Sequence, residues 1–216
     1  NGYKLHELAH IENTLALLLF KNTQYQAAKD FFKASNENYV KAYGPDHFKV
    51  GETLFALAKL EMGWKKRKTA EDMFLKALDI FEKNGELGHS LSQSSHAFLV
   101  GLYEEMGKPD DATKHCQAVA VERPRDFDLE IEPIYRLSPK YPLRAAEDRK
   151  TGHVLLEFNV DTNGITRDIR IVESSARMFE KSSRAALEKW RYAPSVKNGE
   201  LVVTNGARAR IEYRLR

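Results

Sequence analysis

The residues His6 to His10 read His-Glu-Leu-Ala-His, which is the spacing of a helical zinc site. Two histidines four residues apart lie on one face of a helix and can bind zinc, and the glutamate beside them can act as a general base. Such a site needs a third protein ligand, and no His/Glu pair stands at a suitable place on a following helix. Because matches of this length arise by chance, the sequence predicts neither a metal site nor a protease.

A basic run and one cysteine are the other candidates for chemistry. Lys65–Lys68 is the densest cluster of positive charge, and it falls in a turn between two predicted helices. Positive charge at a helix N-terminus opposes the helix dipole, so this run hints at an anionic neighbour. Cys116 occupies an apolar helical position, which is typical of a buried structural thiol. Without an ordered nucleophile–base pair or a glycine-rich phosphate loop, the sequence predicts no catalytic residue, no cofactor and no enzyme.

Composition bounds the class of protein. The chain has 216 residues with 42% hydrophobic and 30% charged residues, which is ordinary for two modest domains with separate cores. Residues 1–124 hold 16 Lys and Arg against 17 Asp and Glu, and residues 125–216 hold 18 against 14. This mild basic excess lacks the clustered basic face of a nucleic-acid binder, so no nucleic-acid partner is expected. Asn1 does not start a translated chain, which predicts a removed signal peptide, a removed membrane anchor or an artificial boundary.

The first half of the chain repeats with a period of 42 residues. Small and apolar residues recur at this step in four columns, with three copies in each: Leu15, Leu57 and Leu99; Leu18, Leu60 and Leu102; Ala28, Ala70 and Ala112; Phe32, Phe74 and Cys116. Each copy reads as two helices whose apolar faces can be buried only by stacking on a neighbour. We therefore expect an α-solenoid of three helix pairs.

This pattern resembles tetratricopeptide repeats of the kinesin light chain type over roughly residues 8–122. The resemblance lies in the turn Gly44–His47, in Leu57-Ala58 and in Ala70, whereas Arg67 and Pro109 stand where an aromatic residue is usual. It implies a concave groove for a peptide or protein partner. A structural spacer is the alternative.

The two halves meet in a proline-rich joint. Within residues 123–142, acidic and apolar residues alternate from Asp126 to Glu132, and Pro133, Pro139 and Pro142 follow, which exclude a helix. The segment is predicted to be an extended linker, or a strand lying on the next domain. The expected domains are residues 1–124 and 125–216.

The second half alternates like a sheet. Residues 153–160 and 165–172 read as strands around the turn Asn163-Gly164, where Asn-Gly supplies the positive φ angles of a tight hairpin. Ser174-Ser175 is expected to cap an amphipathic helix that Pro194 ends. A second turn at Asn198-Gly199 leads to a final strand, 207–216. This second half is therefore predicted to be an α+β unit.

The second half closely resembles the C-terminal domain of the TonB family over about residues 137–216. The motifs that carry the resemblance appear in order: Tyr141-Pro142, Arg144-Ala145, Gly152, Phe158, Val160, Gly164, Met178-Phe179-Glu180 and Trp190-Arg191-Tyr192-Ala193-Pro194. The family fold implied is a three-stranded antiparallel sheet packed with helices.

The resemblance also implies a binding mechanism. The final strand is expected to leave an open edge, to which a short extended segment of an outer-membrane transporter, the TonB box, adds as another strand. The predicted partner-binding residues form two groups: Arg208, Ala209, Arg210, Ile211, Glu212 and Tyr213 on the edge strand; Lys140, Tyr141, Pro142 and Arg144 in the segment before the helix. Lys140 replaces a glutamine of the best-studied member, so partner choice is expected to differ.

The sequence thus predicts a non-enzymatic, periplasmic TonB-like protein of energy-coupled outer-membrane transport, tethered to the inner membrane through a segment outside these residues. Its expected partners are a TonB-dependent transporter, an inner-membrane energising complex of the ExbB/ExbD type, a second protein held by the repeats, and a second copy through the open edge. The alternative is a periplasmic repeat scaffold whose TonB-like unit only dimerises or docks to the cell wall.

Overall fold

The computed structural model describes residues 2–122 and 131–215, with side chains from residue 4 onward. Its contacts divide the chain into two compact units, Asn1–Met106 and Gly107–Arg216. The predicted boundary near residue 125 lies in the undescribed stretch 123–130, whereas the contacts divide the chain between Met106 and Gly107. In the described residues, no helix is both long and apolar enough to cross a membrane.

Unit 1 consists of five helices and a short 3₁₀ turn at Gly85–Leu87. The helices are α1 (Gly2–Lys21), α2 (Tyr25–Tyr43), α3 (Phe48–Gly63), α4 (Arg67–Lys83) and α5 (His89–Met106). The breaks fall at the predicted turns, and His47 caps α3 by accepting a hydrogen bond from the Lys49 amide at 3.2 Å. With α6 (Pro109–Glu122) of unit 2, the chain has the six N-terminal helices that three predicted pairs require.

The repeat columns form the core of unit 1. Ala28, Ala70 and Phe74 are completely buried, because alanine lets paired helices approach closely while phenylalanine fills the space beside them. A buried hydrogen bond from the Ser35 hydroxyl to the Ala9 carbonyl (2.7 Å) ties α2 to α1. The first copy departs from the pattern, since Leu15 and Leu18 stay exposed.

The basic run finds its anionic neighbours within unit 1. Lys65 and Lys66 lie in the turn between α3 and α4, as predicted. The Arg67 guanidinium lies 3.2 Å from the Glu105 carboxylate, and the Lys68 ammonium lies 3.1 Å from Glu71. The charge that opposes the α4 dipole is therefore balanced by nearby carboxylates.

Unit 2 contains a three-stranded antiparallel sheet in the order β2-β1-β5. Its elements are α6, α7 (Leu143–Glu147), β1 (Gly152–Val160), β2 (Thr166–Ser174), α8 (Glu180–Leu187), β3 (Ser195–Lys197), β4 (Glu200–Val202) and β5 (Thr204–Tyr213). β3 and β4 form a separate two-stranded ribbon around Asn198-Gly199, where both residues have positive φ, as a tight turn requires. The predicted α+β fold is confirmed.

One face of the sheet carries the core of unit 2. Val154, Leu156 and Phe158 of β1 alternate inward and are at most 1% exposed. The residues buried in and around α8 are Phe179, Ser183, Ala186, Leu187 and Trp190. The opposite face of the sheet bears charged side chains.

Three local predictions are wrong. The helix ends at Leu187, well before Pro194, and Ser175 does not cap it, because its hydroxyl contacts the main chain of His153 at 2.8 Å and 3.2 Å. In the turn of the first hairpin, Gly164 has positive φ but Asn163 does not, since the Asp161 carboxylate accepts from the Asn163 and Ile165 amides and shapes a longer loop.

Candidate partner-binding edge

β5 forms an edge of the sheet, with β1 as its strand partner in the described chain. The pairing runs without a break from Gly152–Tyr213 to Phe158–Ala207. A regular strand with one partner presents the main-chain groups of alternate residues at its free side. β5 therefore offers a straight template for another extended segment.

Hydrogen bonds of β1 show which residues of β5 face the open side. The Ser175 amide donates to the His153 carbonyl at 3.0 Å, and the Ser175 hydroxyl accepts from the His153 amide. The main chain of His153 thus points toward β2 and away from its β5 partner Glu212. Because the direction alternates along antiparallel strands, the N–H and C=O groups of Glu212, Arg210 and Arg208 point to the open edge.

The opposite edge of the sheet is less regular. The pairing of β2 with β1 shifts register twice, and Asp168 of β2 has a positive φ of 51°. The Arg184 guanidinium of α8 donates to the Ile169 carbonyl at 2.5 Å, so that carbonyl is already occupied. Bulges and occupied main-chain groups are common devices against strand pairing. Of the two edges, β5 is better suited to bind an extended peptide.

The side chains of the predicted edge residues divide between the two faces. Ile211 and Tyr213 are buried in the core, and Ala209 is partly buried. The main-chain groups of these three residues point toward β1, so they offer a partner strand no free hydrogen-bonding groups. Arg208 and Arg210 are exposed. Glu157 of β1 lies 3.0 Å from the Arg208 guanidinium and 3.2 Å from that of Arg170, and it therefore joins all three strands electrostatically. Selectivity for a partner's side chains would come from this charged face.

The segment before α7 meets the end of β5 through aromatic rings. Tyr141 packs edge-on against Tyr213, with ring centroids 5.5 Å apart, and also against Phe179 at 6.1 Å. Its hydroxyl donates to the Lys150 carbonyl at 2.5 Å. The Ser182 hydroxyl donates to the Lys140 carbonyl. The structure thus brings Lys140 and Tyr141 of one predicted group to the Tyr213 end of the other.

Tyr213 is held firmly at this junction. Its ring stacks on Phe179 at 4.4 Å, and its hydroxyl lies 2.9 Å from the Ser183 hydroxyl. These contacts fix the position of the Tyr213 side chain at the end of β5.

Sequence reasoning missed two apolar residues that flank this junction. Leu143 is 81% exposed and follows Tyr141-Pro142, and Leu215 is 39% exposed and follows Tyr213. The sequence predicts a final strand over residues 207–216, but β5 ends at Tyr213, before Leu215. Exposed leucines beside an open strand edge can bind an apolar side chain of the added segment. Pro142 directly precedes α7, and Arg144 is exposed in the first turn of that helix.

The segment upstream of Tyr141 follows the second predicted possibility and lies on the domain. The amides of Ile134 and Tyr135 donate to the Arg191 carbonyl at 2.7 Å and 3.2 Å. The Trp190 indole N–H donates to the Leu137 carbonyl at 2.8 Å. The prolines exclude a helix here. The hydrogen bonds join the main chain of this segment to Trp190 and Arg191, which precede Pro194.

The histidine motif of α1 lies elsewhere, in unit 1. His6, Glu7 and His10 line a surface pocket with Tyr43 and His47. Within the described residues, His6 and His10 belong to no cluster of three ligand atoms close enough to hold one metal ion. The Tyr43 ring stacks on His47 with centroids 4.2 Å apart. The His6 ring also lies 6.0 Å from the Tyr43 ring, so His6 and His47 both pack against this aromatic residue.

Comparison with known proteins agrees with the two resemblances. Residues 138–215 match the family model of the Gram-negative bacterial TonB protein C-terminal, and residues 7–83 match that of the tetratricopeptide repeat. Protein TonB of Pseudomonas aeruginosa is 36% identical over 76 residues, which are 35% of this chain and 22% of that protein. Protein TonB of Escherichia coli K12 is 37% identical over 73 residues, 33% of this chain and 30% of that protein. The chain spans less than a third of the length of these relatives.

Solved structures resemble each part of the chain. The solution structure of the Pseudomonas aeruginosa TonB C-terminal domain covers 41% of this chain and 89% of its own, with 31% identity and a TM-score of 0.35. A kinesin light chain structure of Podosopora anserina with nearly identical TPR-like repeats covers 56% of this chain and 58% of its own, with 17% identity and a TM-score of 0.48.

The two family matches thus cover separate parts of the chain. Tetratricopeptide-type repeats come first in the sequence, and a domain of the TonB C-terminal type follows, as the sequence motifs predict.

Proposed function

We propose that the chain is the periplasmic part of a TonB-like protein that acts in energy-coupled outer-membrane transport. In this proposal the TonB box of a TonB-dependent transporter binds β5 by strand addition, and the repeats recruit a second protein. The observation that carries the proposal is the open, regular edge of β5 in a domain that matches the TonB C-terminal family over residues 138–215.

The edge offers enough main-chain groups for a reversible complex. The outward N–H and C=O groups of Arg208, Arg210 and Glu212 can form about six hydrogen bonds with an extended segment. At roughly 0.5–1.5 kcal/mol net for each bond, these contribute about 3–9 kcal/mol before the cost of ordering the peptide. When a force pulls the bound segment along the strand direction, these main-chain hydrogen bonds resist it together, because they form one ladder.

The junction at Tyr141 gives the complex its direction. Lys140 and Arg144 add positive charge at the Tyr213 end of β5, and Leu143 adds an exposed apolar contact there. A bound segment with an acidic and an apolar residue at that end would be favoured over its reverse. Energy supplied by an inner-membrane complex of the ExbB/ExbD type would reach the transporter through this grip.

The repeats offer a separate binding surface for the second protein. Asn13, Glu52, Phe55 and Lys59 line a cavity of about 200 Å³ within unit 1. The Lys59 ammonium lies 5.7 Å from the centroid of the Phe55 ring and has no ion pair in the described residues, so it is available to an acidic group. The expected partner is a peptide or protein segment with a carboxylate beside an apolar side chain.

Amide NMR of the 216-residue chain tests the transporter proposal. Extended peptides copied from the periplasmic N-termini of TonB-dependent transporters of the same bacterium are added, with scrambled peptides of the same composition as controls. The expected shifts cluster at Arg208–Tyr213 and Lys140–Arg144. Absence of shifts there, with β5 already paired between two copies, would favour the scaffold alternative in which this domain only dimerises.

A further inference from the structure

Helix α1 carries an apolar stripe that its own unit leaves exposed. Leu8 is 45% exposed, Ile11 63%, Leu15 37% and Leu18 53%. The steps of three, four and three residues place them in one seam along the helix, in the pattern of a and d positions of a coiled coil. The opposite face of α1 is the buried one, since Ala9 and Ala16 are completely covered.

The same columns are buried in the later repeats. The residues 42 positions further along are Val50, Thr53, Leu57 and Leu60, and none of them is more than 4% exposed. In that second copy, α2 lies against the column, because Asn36 donates to the Thr53 hydroxyl at 2.7 Å. In these repeats a neighbouring helix therefore packs on this column. On α1, all four residues of the column are apolar.

In an antiparallel pair of α1 helices, the charged residues beside the seam would face residues of opposite charge. Glu7 and Lys21 flank the same side of the seam, with Thr14 midway between them, and all three are exposed. Neither Glu7 nor Lys21 has an ion pair within the described residues. On the other flank, Glu12 is occupied by a hydrogen bond from Asn38 at 2.9 Å. The free charges thus favour an antiparallel copy of the same helix, where glutamate faces lysine twice.

We propose that two copies of the chain associate through antiparallel contact of their α1 helices about a twofold axis. Leu8 of one copy then packs against Leu18 of the second copy, and Ile11 packs against Leu15 of the second copy. Glu7 of each copy pairs with Lys21 of the other, as an isologous interface requires. This contact lies in unit 1 and is independent of β5 and of the proposed transport function.

Charge exchange tests the proposal by sedimentation equilibrium on the 216-residue chain. The wild-type chain is expected to dimerise reversibly. Glu7→Lys and Lys21→Glu are each expected to raise the dimer dissociation constant about 10-fold, because two attractive pairs become repulsive. An equimolar mixture of the two variants is expected to recover wild-type association as a heterodimer, because it restores both ion pairs. The fold is unaffected, since both positions are exposed.

The apolar seam is tested by Ile11→Asp against Leu87→Asp, a matched control that is 66% exposed in the same unit. Ile11→Asp buries two unpaired carboxylates per dimer and is expected to weaken association more than about 100-fold, whereas the control has no effect. A monomeric wild-type chain overturns the proposal and leaves the seam to a helix of another protein. A dimer that resists Ile11→Asp but is lost in Arg210→Pro also overturns it, in favour of pairing through β5.

Discussion

Replacing Arg210 by proline should block strand addition while leaving the sheet intact. The N–H of Arg210 points away from β1, so the change removes no hydrogen bond of the β1–β5 ladder. Proline is tolerated on an edge strand when its nitrogen faces the open side. The lost ion pair with Glu212, at 3.6 Å between half-exposed side chains, contributes at most about 1 kcal/mol. The folded domain is therefore expected to lose little stability.

The effect on binding should be much larger than the effect on folding. One main-chain hydrogen bond, worth roughly 0.5–1.5 kcal/mol, disappears at the centre of the edge. The proline ring also keeps a partner strand away from the outward groups of Arg208 and Glu212, which weakens bonds on either side. A total loss of about 1.5–3 kcal/mol raises the dissociation constant of a transporter peptide roughly 10- to 100-fold.

The assay is isothermal titration calorimetry, in which the same transporter peptide is titrated into the wild type, Arg210→Pro and Arg210→Ala. Arg210→Ala is the matched control, because it removes the same side chain but keeps the N–H. It should change the dissociation constant less than about threefold, and thermal unfolding should show that both variants are folded. Equal affinities of the proline and alanine variants would refute the reasoning, since the partner would then not use the main chain of β5.

Three further predictions concern packing inside each of the two units. Gly164→Ala should lower the free energy of unfolding by about 2 kcal/mol or more, because φ is +74° and a Cβ atom would lie 2.2 Å from the Tyr192 carbonyl oxygen. Phe74→Ala should destabilise unit 1 by about 3–5 kcal/mol in thermal unfolding, because this ring is completely buried against Phe55 and Phe98. Tyr192→Phe should be neutral or stabilising near pH 7, because the buried hydroxyl has no hydrogen-bond partner in the described residues. Burial raises the pKa of Tyr192 above its ordinary value near 10, so above that pH the unfolded phenol ionises while the folded one stays protonated. Between pH 10 and 11, the free energy of unfolding of the wild type, measured with urea, should therefore fall by up to about 1.4 kcal/mol per pH unit more than that of Tyr192→Phe.

Each of these changes has a control within the chain. Gly199→Ala meets open space at φ +82° and isolates the cost of backbone conformation, so a loss equal to that of Gly164→Ala would contradict the steric argument. Leu75→Ala removes a side chain that is 39% exposed beside Phe74 and should cost far less. Parallel pH curves for wild type and Tyr192→Phe would show that Tyr192 ionises normally.

Periodic patterns were sufficient to predict the six N-terminal helices and the three strands of the main sheet, but not the short elements α7, β3 and β4. Alanine and phenylalanine at a 42-residue step define helix pairs, because the same small–large contact recurs in each copy. The alternation from Val154 to Phe158 defines a strand with one buried face, because successive side chains of a strand point to opposite sides. These signals are local in the chain, so no tertiary information is needed to interpret them.

Turn and helix ends were harder to predict, because their geometry depends on distant atoms. Ser175 has the chemistry of a helix cap, but it is recruited by His153 of β1, 22 residues away. The helix that Pro194 was expected to end stops at Leu187, where the chain turns to let Trp190 and Arg191 bind the segment 134–137. Long-range hydrogen bonds of this kind outweigh local propensity.

The sequence by itself determined the two modules, the final strand and the residues of the predicted edge, because these depend on periodicity and on ordered motifs. Only the tertiary structure decided which main-chain groups of β5 face outward and that the β2 edge is less regular. It also showed that Tyr141 joins Tyr213, and that the apolar column buried in the later repeats is exposed on α1. These properties depend on which atoms lie opposite one another across elements, and the spacing of residues along a chain does not specify that.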